Sequence, residues 1–159
     1  MNDFLIIVIA GFFSCVALDF FGRVLLILFK IPEPSWGVVG RWVFYMVRRG
    51  TVFNPQISDA VPIAHEVKIG WAFHYLIAVV WAVAFHIFFV GYPLFELSYK
   101  NGLLFGALTT LAPIIIFMPF TGQGVLARKT QMPLLTSLIM LARHCVFGLA
   151  MFEAFSWFH

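Results

Sequence analysis

Five ionisable side chains fall inside long apolar runs of this chain. They are Asp19 and Arg23 in the first run, His74 in the second, and Arg143 with His144 in the last. A charge at the centre of a bilayer costs about 3 kcal/mol or more, so residues of this kind read first as a site. Asp19 and Arg23 are four apart, which places them on one helix face where they can pair and offset part of each other's desolvation. Two readings of the pair stand. It is a structural ion pair that pins the first segment to the last, with Arg143 joining it, or it is a proton- or substrate-handling site. A carboxylate in a low-dielectric setting can exchange a proton for a cation. Arg23 counts against a simple cation site, because it neutralises Asp19.

His74 lies in GWAFHY, between Trp71 and Tyr75. Trp and Tyr near a helix end are ordinary interface anchors, whereas His74 is expected to face protein. His144 follows Arg143 directly, so their side chains diverge by about 100° around a helix, one toward the site and the other toward a neighbour. His74 or His144 could serve as a general base while Arg23 and Arg143 hold an anionic group. Asp19, His74 and His144 are metal-ligand types, but they are scattered over three segments without an HExxH or a close histidine pair, and no metal is expected. No cofactor is indicated. His65, Glu66 and Lys129 are candidate entrance residues, His65 and Glu66 standing beside Lys68. His86 and Glu153 fall near the opposite ends of their segments and read as interface residues.

The elements that must position these groups follow from composition. Of the 159 residues, 62% are hydrophobic and 11% charged, against about 45–50% and 25% in average globular chains. A soluble domain could not hide that much apolar surface, and lipid removes the need. A spanning helix takes about 20 apolar residues. Residues 4–29, 69–90, 102–120 and 134–157 qualify. Backbone groups in lipid must be paired internally, so each is expected to be helical despite its Val, Ile and Phe content. The fold class is therefore all-α: one transmembrane domain of four spanning helices. Pro113 is expected to kink the third and Pro119 to help end it. Gly102 and Gly106 give the third a small-xxx-small face, for packing within the bundle or between protomers. The opening run has no basic stretch before Phe4 and is too long for a signal peptide, so it is expected to stay as the first span.

The connection from Ile31 to Lys68 carries Pro32, Pro34, Pro55 and Pro62. Between Pro34 and Pro55, Val38, Val39, Trp42, Val43 and Met46 recur at helical spacing, with Arg41, Arg48 and Arg49 as charges. This predicts a short interfacial amphipathic helix, which serves as a lid, a headgroup sensor or filling. Arg41, Arg48, Arg49 and Lys68 lie in the first loop with Lys30 at its edge, and Arg128 and Lys129 in the third, while the second has only Lys100. The positive-inside rule makes loops one and three cytoplasmic and puts both termini outside. At about 1.5 Å per residue, all five buried ionisable groups then fall roughly 8–16 Å from the cytoplasmic side. The few basic residues form no stripe, so nucleic acid is not an expected partner. Cys15 and Cys145 read as small buried hydrophobes without CxxC spacing.

Three functions fit. The first is a small transporter or efflux protein, short enough to call for a homodimer, with a small-molecule or lipid ligand at Asp19, Arg23, His74, Arg143 and His144. The second is a membrane-embedded enzyme acting on a lipid or hydrophobic substrate, although no nucleophile elbow or phosphate loop is present. The third is an accessory or scaffold protein whose polar cluster is structural. Of the three, transport is favoured.

Several short motifs run the length of the chain: VGRW at Val39–Trp42, GWAFHY at Gly70–Tyr75, LAPIIIFMP at Leu111–Pro119, TGQG at Thr121–Gly124, ARKT at Ala127–Thr130 and HCVFG at His144–Gly148. With the Asp19-bearing first segment, they make the chain resemble a bacterial family of small inner-membrane proteins classed only as a domain of unknown function. The resemblance implies a bacterial inner membrane and four spans, and no mechanism.

Overall fold

The structure, a computed structural model, describes residues 2–159 and is all-α, with no strand among the described residues. Four helices are long and apolar enough to cross a membrane: α1 (Asp3–Phe29), α3 (Glu66–Gly91), α4 (Tyr99–Phe120) and α5 (Pro133–Ser156). The amphipathic helix α2 (Trp36–Arg49) lies in the first connection, where the sequence pattern puts it.

Local chemistry sets the ends. The Asn2 side chain accepts from the Phe4 amide at 3.0 Å to start α1, and Lys30 closes it in the left-handed conformation. Ser35 and Ser98 cap α2 and α4 in the same way, and Gly50 ends α2 with a positive φ that costs glycine little. Pro133 opens α5, where its missing N–H is no loss. Pro113 leaves α4 continuous but widens it into a π-helical stretch over Ala112–Phe117, which absorbs the missing hydrogen bond. A second such stretch, Ile87–Gly91, ends α3.

The chain forms two compact units. The first runs to Glu33 and resumes over Tyr75–Thr110 and Leu141–His159. It is a bundle of segments of α1, α3, α4 and α5 around Ala10, Cys15, Ala82, Phe85, Phe105, Met151 and Phe155. Glycines let its backbones approach. A Cβ on Gly11 would stand 2.9 Å from the Val79 Cα, and one on Gly148 would stand 2.6 Å from the Gly106 Cα. The Gly102/Gly106 face is thus used inside the chain, against Gly148 and Phe152 of α5.

The second unit comprises Pro34–His74 and Leu111–Met140. In it α2 lies against the start of α3, so close that a Cβ on Gly40 or Gly70 would collide with backbone of the other helix. The buried face of α2 carries Val39, Gly40, Trp42 and, unexpectedly, Arg41. Read from sequence as one of the charges of a polar face, Arg41 is only 5% exposed.

Candidate functional site

The first unit holds four of the predicted site residues. Asp19 projects from α1 and its Oδ2 accepts a hydrogen bond from the Tyr75 hydroxyl of α3 at 3.1 Å. Tyr75 also packs its ring on Phe12, 5.1 Å between centroids. An interface anchor would direct its hydroxyl to the membrane surface, whereas that of Tyr75 points inward to a carboxylate. Arg23 forms its ion pair with Glu33, at 3.5 Å, and its side chain is 58% exposed. It sits at the rim of the unit and is free to snorkel.

Arg143 projects from α5 and is 6% exposed. Its Nε is buried and has no hydrogen-bond partner among the described residues. The guanidinium lies against α1 at Gly22, where an added Cβ would stand 2.7 Å from Cζ and 3.1 Å from Nε. Only a residue without a side chain leaves that room. Asp19 and Glu33 both act on the Arg143 charge. Its neighbour His144 points differently, as the 100° step demands: Nδ1 is 2.9 Å from the Thr109 hydroxyl of α4, which itself donates to the Gly106 carbonyl at 2.7 Å or shares its proton with the ring. Polar groups from all four helices therefore occur in this bundle, and three of them, Asp19, Tyr75 and Arg143, form one connected set with Glu33 and Arg23. At another part of the unit, His86 Nε2 is 4.0 Å from Asp3 while its buried Nδ1 lacks a partner. Glu153 accepts from the Tyr99 hydroxyl at 2.6 Å.

The second unit holds the rest. The His74 ring packs tilted against Trp36 of α2, 4.3 Å between centroids, and edge-on to Trp71, 5.8 Å away. Glu66, the first residue of α3, holds Arg41: Nε donates to Oε2 at 2.9 Å and Nη2 to Oε1 at 3.0 Å. Glu66 also accepts from the Ile63 amide at 3.1 Å. Arg41 Nη1 reaches the carbonyls of Ile57 and Ser58 at 3.1 Å each, and that of Ala60. The Glu66 hydrogen bond holds the Arg41 guanidinium above its already high usual range, against the effect of burial. Glu66, a candidate entrance residue, thus serves as the counter-ion of a structural clamp. His65 and Lys129 are exposed, His65 with a positive φ of 62°.

Chemically, the first unit offers a buried cation with an unmet donor and a carboxylate held by a phenol. These groups can bind and orient a polar ligand. Tyr75, Glu33, Gly22 and Thr109 were missed by sequence reasoning. Only Tyr75 carried a signal, its place in GWAFHY beside His74.

Four apolar helices with a few internal polar groups are the make-up of a multi-pass membrane protein. The chain belongs to the family described as "Protein of unknown function (DUF2938)", whose profile matches residues 7–157. Neither curated proteins nor solved structures give a match.

Proposed function

We propose that this protein is a small transporter or efflux protein of a bacterial inner membrane, with its substrate site inside the first unit. The observation that carries this reading is the Asp19–Tyr75 hydrogen bond inside a largely apolar bundle, in a set that includes the buried Arg143. Ionisable groups in a spanning bundle face a pathway or one another, and the Arg143 Nε has no hydrogen-bond partner among the described residues. Arg143 and Tyr75 orient the ligand, Asp19 supplies a carboxylate beside it, and His144 steadies α4 through Thr109.

Orientation follows from exposed basic residues. Arg48, Arg49, Lys68, Arg128 and Lys129 are all exposed on loops one and three or beside them. By the positive-inside rule this excess supports reading loops one and three as cytoplasmic and both termini as outside. Gly102 and Gly106 are engaged within the chain, so the second copy of a homodimer packs on another face.

The test is solute flux in proteoliposomes containing the full chain, with a panel of organic anions, cations and zwitterions. Wild-type vesicles are expected to move at least one class faster than protein-free vesicles. Asp19→Asn is expected to lose that flux at unchanged melting temperature, and Tyr75→Phe to reduce it. No flux above protein-free vesicles for any class, or equal flux in wild type and both variants, would overturn the reading.

A further inference from the structure

We propose that Arg143 is the recognition group for a phosphate-type oxyanion, which names the ligand class of the site above and rests on reading that cluster as a substrate site. Three observations converge on it. Arg143 is 94% buried by its 6% exposure, yet its Nε–H meets no acceptor. Buried donors without partners are rare, and each calls for an explanation. The neighbouring carboxylates do not supply one. Asp19 accepts from the Tyr75 hydroxyl, and Glu33 pairs with Arg23. Both carboxylates act on the Arg143 charge, but neither is bonded to its Nε.

The third observation is Gly22. The guanidinium lies on the bare backbone of α1, with no side chain between. A planar fork seated this way keeps a fixed orientation, the condition for recognising an oxyanion through parallel N–H bonds. Gly22 is seven residues before Phe29, roughly 10 Å along the helix from its end at 1.5 Å per residue. A phosphate at that depth comes either from a phospholipid headgroup drawn inward or from a soluble phosphate ester. Both present the same oxygens to Nε.

The test uses the purified full-length protein in a neutral detergent, as wild type, Arg143→Gln, Arg143→Lys and Arg49→Gln. Arg49 is exposed at the end of α2 and outside the cluster. The probes are inorganic phosphate, glycerol 3-phosphate and a short-chain phosphatidylglycerol, and the reading is the ligand-dependent shift in melting temperature over a concentration series. Wild type and Arg49→Gln are expected to bind alike. Arg143→Gln is expected to bind about tenfold or more weakly, the loss of one charge-assisted hydrogen bond. Arg143→Lys keeps the charge without the fork and is expected to fall between them, and it carries the test if Arg143→Gln does not fold. Saturation by the soluble probes assigns a solute, and saturation by the lipid probe alone assigns a headgroup. Absence of binding to wild type, or wild-type affinity in Arg143→Lys and Arg143→Gln, would remove the inference. Arg143-dependent binding without vesicle flux removes only the transport reading, while Asp19-dependent flux without phosphate binding removes only this one.

Discussion

Arg41→Met tests whether the second unit is held by its buried clamp. The substitution keeps the apolar stem and removes the guanidinium. It strips Glu66 of two hydrogen bonds, at 2.9 and 3.0 Å, and strips the carbonyls of Ile57, Ser58 and Ala60 of their Nη1 donor. Breaking a buried ion pair by removing one partner costs about 3–5 kcal/mol, because the other charge stays behind unpaired. Glu66 keeps 16% of its side chain in contact with solvent, so the cost falls at the lower end, about 3 kcal/mol. For a chain of this length that corresponds to a drop of roughly 6–12 °C in melting temperature. The guanidinium keeps its charge throughout the accessible pH range, its proton held further by Glu66, so the difference should not vary through any titration of Arg41. Tryptophan fluorescence in one detergent is a suitable assay, since Trp36, Trp42 and Trp71 all report on this unit, Trp42 through its 2.7 Å hydrogen bond to the Val52 carbonyl. The double variant Arg41→Met/Glu66→Leu should recover part of the loss but not all, because three carbonyls still lack a donor. A melting temperature for Arg41→Met within about 2 °C of wild type would refute the argument.

Gly148→Val should abolish folding of the first unit, at a cost of about 3 kcal/mol or more, because the new Cβ meets Gly106 backbone that cannot yield; size-exclusion chromatography after solubilisation would show aggregation, and a monodisperse variant would contradict the close approach. Tyr75→Phe should cost about 1 kcal/mol, the usual net worth of a hydrogen bond, read as a small fall in melting temperature beside the larger effect on flux. An alkaline phosphatase fused after His159 should be active and a fluorescent protein there dark, as expected for a C-terminus outside; the opposite pair would reverse the orientation.

The four long helices were legible because lipid imposes a length and a polarity that composition alone reveals. The predicted starts at residues 69 and 102 fall three residues inside the observed ones, Glu66 and Tyr99, because each helix begins with charged or polar residues that hydropathy leaves out. Capping by Ser98 explains the second case. The site was legible as a set of residue types but not as a set of pairs. Spacing put Asp19 and Arg23 on one face, yet Arg23 turns to Glu33 and Asp19 receives Tyr75. An i,i+4 rule states which side chains share a face and is silent on competitors from the next loop or the next helix. Arg41 shows the same limit. Nothing local marks it as buried, because its partner Glu66 is 25 residues away, and the backbone carbonyls it binds lie in a loop between them.

Arg41 and Arg143 together separate structure from site. The two are equally withdrawn from solvent, at 5% and 6% exposure. Arg41 spends its donors on a carboxylate and three carbonyls, a constellation that needs nothing further and fixes the path of residues 57–66. Arg143 lies on a glycine with an unused Nε, while the carboxylates that act on it are bonded elsewhere. A buried charge placed only for stability gains by completing its hydrogen bonds, as Arg41 does. One left incomplete in a largely apolar bundle is a cost that stability does not explain, and the proposed oxyanion ligand would supply the missing oxygen acceptor.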